Sequence, residues 1–214
     1  MLKLYTYWRS TAAYRVRIAL NLKGIDYESI PVNLVKDGGE QHKAAYKALN
    51  PQGLVPALLT EQGEVINQSM AIMEYLEAAY PNVPIFPNDL ISLTKARSMA
   101  QMIVSDIHPL NNLRVLKYLK QDWGQEQIDQ WYAHWIHQGF TALESMLEGS
   151  DHHFMNADYP CISDICLVAQ IYNANRFSVS LADYPKLLKI NQYCLELEAF
   201  KNAAPEQQLS EIDG

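Results

Sequence analysis

Hydrophobic and polar positions alternate from the start of the chain, and the segment Leu2–Tyr7 reads as a β-strand. Val16, Ala19, Leu20 and Lys23 then recur at helical spacing, predicting a helix over Ala12–Lys23. Further strands are predicted at Tyr27–Val32, Pro56–Thr60 and Glu64–Ile66, the last two joined by a hairpin turn at Glu61-Gln62-Gly63. A weak helix near Gln41–Leu49 and a stronger one over Ser69–Ala79 complete a βαβ-αββα order.

Pro81, Pro84 and Pro87 interrupt this pattern and place a linker at 81–90, between an α/β domain over 1–80 and an all-α domain over 91–214. In the second domain Leu93, Ala96, Ala100, Ile103 and Ile107 recur every three or four residues until Pro109 stops them, and Leu113, Leu116 and Leu119 resume the pattern. This predicts one long helix kinked or broken at His108-Pro109. Ile128, Trp131, Tyr132, Trp135, Leu143 and Leu147 line another helix closed by Gly149, and Ile165–Tyr172 and Leu187–Leu197 suggest two more.

With 214 residues, 49% of them hydrophobic, the chain can bury one large core or two smaller ones. A net charge of −7 argues against a nucleic-acid backbone or an anionic membrane surface as the main partner, so an anionic ligand must be held by a local cluster of donors. Cys161, Cys166 and Cys194 are odd in number and form no Cys-x-x-Cys pair, which points to reduced thiols and a cytoplasmic setting. Neither a secretory leader nor an apolar run of about 18 residues is expected from the sequence.

The candidate chemistry begins where the first strand meets the first helix, at Arg9-Ser10-Thr11. Helix-start N–H groups lack intrahelical partners and carry partial positive charge, so an anion beside Ser10 and Thr11 is stabilised. In a thioredoxin-like fold this is where a sulfur sits. No cysteine lies in the segment, so a thiolate there must arrive with a ligand, for which glutathione is the soluble candidate. Ser10 equally fits an ordinary helix N-cap. Val55-Pro56 precedes a strand: a cis bond would turn the Val55 backbone toward an open sheet edge, whereas a trans proline would simply start the strand. Gln68-Ser69 opens a second helix and so offers a second set of N-terminal donors.

Tyr7-Trp8-Arg9-Ser10, Arg15-Val16-Arg17-Ile18-Ala19-Leu20, Lys36-Asp37-Gly38-Gly39, Leu49-Asn50-Pro51, Val55-Pro56, Gln68-Ser69-x-Ala71-Ile72, Asp106-Ile107-His108-Pro109-Leu110-Asn111-Asn112 and Arg176-Phe177 together resemble the zeta-class glutathione transferases. That family contains maleylacetoacetate isomerase and is closely related to the glutathione-dependent maleylpyruvate isomerases. The resemblance spans nearly the whole chain and implies the glutathione transferase fold, a thioredoxin-like domain followed by an all-helical one, in a homodimer. It implies that Ser10 and Thr11 face the sulfur and that Val55, through a cis Pro56, pairs with the cysteinyl backbone. Gln68 and Ser69 then hold the γ-glutamyl end, and Asn111 or Asn112 reaches the cofactor from the helical domain. Arg9, His108, Arg114 and Arg176 are implied at the site of a small dicarboxylic keto acid, with Arg15 and Arg17 structural, on helix faces away from the sulfur.

Two departures stand out. The family usually reads Ser-Ser-Cys after the arginine, whereas this chain reads Ser10-Thr11-Ala12; Cys161 occupies a helix-cap position where the family has Ser or Thr, which predicts a cap weaker by ~1 kcal/mol. The implied activity is glutathione-dependent cis–trans isomerisation of maleylacetoacetate to fumarylacetoacetate in tyrosine and phenylalanine catabolism. Maleylpyruvate isomerisation, a broader transferase activity and a non-catalytic binding role are the alternatives. His134 with His137, and His152 with His153, lack a Cys or carboxylate at ligand spacing, so no metal site is expected.

Overall fold

The computed structural model describes residues 1–149 and 153–211 and divides into two compact units, Met1–Ile85 together with the residues from Glu196 onward, and Phe86–Leu195. In the first unit, β1 (Leu2–Thr6) buries every second residue, as its alternation requires. Helix α1 (Thr11–Leu22) follows, then β2 (Tyr27–Pro31), α2 (Ala44–Leu49), β3 (Ala57–Leu59), β4 (Val65–Asn67) and α3 (Ser69–Ala79). The sheet order is β2-β1-β3-β4, with β2 parallel to β1 and the β1–β3 and β3–β4 pairs antiparallel. The weak helix expected near Gln41–Leu49 is a 3₁₀ turn at Glu40–His42 followed by α2.

The proline-rich segment belongs to the first unit as far as Ile85. The buried ammonium of Lys23 binds Glu77 and the Val83 carbonyl, each at 2.6 Å, while Glu77 also accepts the Ile85 N–H. The expected helical domain over 91–214 needs correction at its far end. A short α9 (Glu198–Ala203) groups with the first unit, because buried Arg17 donates through Nε to the Ala203 carbonyl and Asn21 donates to the Ala199 carbonyl. Phe200 and Ala203 are buried there.

In the second unit, α4 (Leu90–Gln101) continues into a π-helical turn at Met102–Ile107 and ends at His108, since Pro109 has no N–H to extend it. Asn112 then caps α5 (Leu113–Leu119). Helix α6 (Gln125–Met146) is the amphipathic helix that the Ile128–Leu147 pattern predicts, and its Glu144 accepts the N–H groups of Lys186 and Leu187 at the start of α8 (Pro185–Glu196). Helix α7 (Ile162–Arg176) is buried at every position from Ile162 to Ile171. Its start depends on Asp164, whose carboxyl oxygens accept the N–H groups of Cys161 and Met155, so the third residue carries the cap expected to be weak. No described helix is long and apolar enough to cross a membrane.

Candidate active site

Strand register brings the N-terminal candidates to one end of the sheet. Tyr5 pairs with Ala57, and Ala57 pairs with Asn67, so the chain leaving β1, the chain entering β3 and the chain leaving β4 all meet there. The first carries Arg9, Ser10 and Thr11, the second Val55 and Pro56, and the third Gln68 and Ser69. Two helices, α1 and α3, begin at that end, and both direct N-terminal dipoles toward it.

Ser10 is the N-cap of α1, its Oγ accepting the Ala13 N–H at 3.2 Å while its carbonyl accepts the Tyr14 N–H. An N-cap serine uses a lone pair for the helix and keeps its O–H, so capping and donation to an anion are compatible roles for one side chain. The cap leaves the first-turn amides of Thr11 and Ala12 to be met from outside the helix. Arg17 fixes the approach to this turn, donating to the Trp8 carbonyl at 3.0 Å, to Thr6 Oγ1 at 3.1 Å and to the Tyr7 carbonyl at 3.5 Å. Arg9 lies over the Trp8 ring, 4.1 Å from its centroid, and its buried Nε has no hydrogen-bond partner among the described residues.

The Val55-Pro56 bond is cis. The expectation of an open sheet edge there is corrected, because β3 is an internal strand with β1 and β4 on either side. The last β1–β3 pair is Tyr5 with Ala57, so Val55 lies beyond the end of the ladder, packed with Tyr7, Val32 and Tyr46. Gln68 adopts φ +70°, a left-handed conformation that costs a non-glycine residue on the order of 1 kcal/mol, and it exposes its amide, which donates to Gln52 at 2.8 Å. Ser69 is buried at the first position of α3, where its hydroxyl accepts from Arg15 at 3.4 Å. Arg15, expected to be structural and to face away from the sulfur, reaches across to this candidate residue. Gln41, which the sequence did not single out, is also buried in this unit and covers Gly39 so closely that a Cβ there would meet its amide at 2.4 Å. The Gly38-Gly39 pair was its only signal in the sequence.

In the helical unit His108 ends the π-helical stretch, its N–H bonded to the Ile103 carbonyl. Buried Asn111 donates to the Tyr132 carbonyl at 3.1 Å, and Asn112 Oδ1 accepts the Arg114 N–H at 3.1 Å as the α5 cap. Both asparagines therefore have structural tasks inside this unit; the cap occupies the oxygen of Asn112 and not its amide nitrogen. Arg114 is exposed on the first turn of α5. Arg176 is exposed on the last turn of α7, with its guanidinium 5.1 Å from the Phe177 ring centroid. His134 packs edge-on to Trp135, and His137 bonds to Tyr184, while His152 lies outside the described residues. Among the described residues no group of three His, Cys, Asp or Glu side chains could hold a metal ion.

A thiol and carboxylates on an extended peptide match the donors at the sheet end: two helix N-termini, serine hydroxyls and a main-chain segment beyond the strand ladder. Residues 9–79 match the family described as glutathione S-transferase, N-terminal domain. Across its length the chain is 46% identical to maleylacetoacetate isomerase of Pseudomonas aeruginosa, with 97% of each chain covered. It superposes with a TM-score of 0.91 on a bacterial maleylpyruvate isomerase of the zeta class, at 42% identity over 96% of this chain and 98% of the other. A TM-score of 0.91 also relates it to maleylacetoacetate isomerase of Methylobacterium extorquens with bound malonate and glutathione, at 38% identity over 96% and 97% of the two chains. The chain belongs to the zeta-class glutathione transferase family, that of the maleylacetoacetate and maleylpyruvate isomerases.

Proposed function

We propose that this protein is a glutathione-dependent cis–trans isomerase that converts maleylacetoacetate to fumarylacetoacetate in the breakdown of tyrosine and phenylalanine. The observation that carries this reading is the convergence of Ser10, Val55 and Ser69 with two helix N-termini at one end of the sheet. Bound glutathione supplies a thiol that adds to a double bond and is released unchanged, so rotation about the intervening single bond needs no redox partner. The Ser10 hydroxyl and the amides of Thr11 and Ala12 favour the ionised sulfur. Val55 offers main-chain groups to the peptide, and Gln68 and Ser69 with the α3 dipole take the γ-glutamyl carboxylate. Asn112 is the stronger candidate of the asparagine pair, since Asn111 is buried on Tyr132.

Arg9 and Arg176 take the carboxylates of the organic substrate. The orphaned Nε of Arg9 and the exposed guanidinium of Arg176 are available for bidentate pairing, and oriented donors stabilise charge that develops on the ketone oxygen. No cysteine lies in the 9–17 segment, so the protein itself contributes no thiol at the α1 start. The protein works as a cytoplasmic homodimer. Three free, buried cysteines accord with a reducing compartment, and Leu90 and Ile91, exposed on α4, accord with a partner surface.

Maleylpyruvate is the second candidate substrate, favoured by Arg114, which lies beside the Asn112 cap and resembles a substrate residue of the maleylpyruvate enzymes. Parallel steady-state assays separate the two. A higher kcat/KM for maleylacetoacetate is expected, and the reverse order assigns the enzyme to maleylpyruvate.

A further inference from the structure

Helix α7 ends in a way that determines where Arg176 can project. After Phe177 the chain turns through Ser178 at φ +56°, the Ser178 N–H bonds to the Asn175 carbonyl, and the Val179 N–H bonds to the Ala174 carbonyl at 3.1 Å. This is the double bond pattern of a Schellman stop, and buried Val179 provides its apolar contact. A serine takes the left-handed position where glycine is the usual choice, so the stop is maintained against a backbone cost. Consequently the side chains of Arg176, the last helical residue, and Phe177, the cap residue, leave a fixed point.

From that point the Phe177 ring stacks on Tyr132 of α6, with centroids 4.1 Å apart and planes 17° from parallel. Tyr132 is itself immobilised. It is 1% exposed, and its carbonyl accepts the Asn111 amide from the turn after the π-helical stretch. The Arg176 guanidinium, by contrast, lies 5.1 Å from the Phe177 ring centroid, the one ring within cation–π range among the described residues. No carboxylate forms an ion pair with it among the described residues, although α7 lies in an acidic protein. An arginine left without an acidic partner and seated near an aromatic face keeps its donors for a ligand while the ring favours part of its rotamer range.

We propose that Phe177, braced by Tyr132, is the positioning residue that aims Arg176 at a substrate carboxylate. The proposal rests on the assignment of Arg176 to that carboxylate. Phe177 does not touch the reacting atoms; its ring offers one face, 5.1 Å from the guanidinium, that favours the Arg176 rotamers lying against it. A longer-range consequence is that the turn carrying His108 and Asn111 and the end of α7 are held to one residue, Tyr132, so both groups keep their spacing as a unit.

The test is a double-mutant cycle on the full-length protein, with Arg176→Ala, Phe177→Leu and the double variant assayed on maleylacetoacetate, and glutathione binding followed separately by calorimetry. Phe177→Leu is expected to raise KM about three- to tenfold, with glutathione affinity kept within about twofold. In the Arg176→Ala background the same change is expected to have no further effect on KM. Phe177→Tyr, which keeps the ring, should restore KM to within about twofold of the parent and serves as the folded reference if the leucine variant is unstable. An unchanged KM in Phe177→Leu alongside a damaged Arg176→Ala overturns the positioning role and leaves the role of Arg176 standing, as does an equal penalty from Phe177→Leu with and without Arg176. Unchanged kinetics in Arg176→Ala overturns the carboxylate assignment itself and the positioning role with it.

Discussion

The side-chain oxygen of Ser10 accepts the Ala13 amide at 3.2 Å, so the residue nearest the expected sulfur also holds the first turn of α1 together. Ser10→Ala therefore removes two things at once. Loss of the cap should lower stability by ~1 kcal/mol, and loss of the hydroxyl should weaken ionisation of a bound thiol. In the parent protein the glutathione thiol is expected to titrate near 6.5 instead of about 8.5, equivalent to ~2.7 kcal/mol of preference for the thiolate. Thiolate absorbance of the complex against pH checks this. Ser10→Ala should move the midpoint up by more than Thr11→Ala, and a parent midpoint above about 8 would contradict the assignment.

Ser69 accepts a hydrogen bond from the buried Arg15 guanidinium and stands at the start of α3. Ser69→Ala should weaken glutathione binding by roughly three- to tenfold, the worth of one hydrogen bond of about 1 kcal/mol. KM for the organic substrate should stay within about twofold. Calorimetry with glutathione alone reads the first quantity. An unchanged dissociation constant would place the γ-glutamyl carboxylate elsewhere.

Cys161, Cys166 and Cys194 are all buried, and burial pushes the thiols of Cys161 and Cys194 far up from their ordinary range. In the folded protein none should react with an aromatic disulfide reagent at neutral pH. Ala12→Cys should add one reactive thiol and leave isomerase turnover within roughly tenfold, because the reacting sulfur belongs to glutathione. Activity found only in the cysteine variant would make the parent protein a binder without catalysis.

Stability should fall in acid through identifiable carboxylates. Asp89 caps α4 by accepting the Ser92 N–H at 2.8 Å, and Glu40 accepts the Asn33 N–H at 2.8 Å, and these backbone bonds hold both carboxyls below their ordinary range. The unfolded chain then takes up protons at higher pH than the folded one, so the contribution is complete above about pH 4.5 and is lost as pH falls through the lowered values. Asp89→Asn keeps a capping oxygen and removes the titration. Its melting temperature should depend less steeply on pH below about 4 than that of the parent, and an identical slope would show that Asp89 is not among the carboxylates responsible.

Helix α3 begins and ends at the residues expected, and β1 and α6 lie within a few residues of theirs, because each has one buried face and hence a clear period; α1, buried at every position from Ala13 to Leu20, is marked instead by its Ser10 cap and its apolar run. Helix α7 extends four residues beyond the expected Ile165–Tyr172 at its C-terminal end and three before it at its start. It is buried all round and carries Ser163, Asp164, Gln170 and Asn173 inside, so neither a stripe nor an unbroken apolar run marks it. Helix α9 leaves no sequence signal for a different reason: six residues give less than two turns of pattern, and its partners, Arg17 and Asn21, are some 180 positions away in the chain. At the candidate site, Ser10, Val55 and Ser69 were legible as helix-start and X-Pro signals. The strand register that brings them together was not, since it depends on pairings between distant segments. Arg15 shows the limit most clearly: helix periodicity gives its face and says nothing of Ser69 waiting opposite.

The central claim is that glutathione serves as a catalyst for geometric isomerisation. Its most direct test is to follow the conversion of maleylacetoacetate to fumarylacetoacetate while measuring free glutathione thiol in the same reaction. The account predicts turnover that requires glutathione and leaves its concentration unchanged after many cycles. Turnover at the same rate without glutathione, or consumption of one glutathione per product, would contradict it.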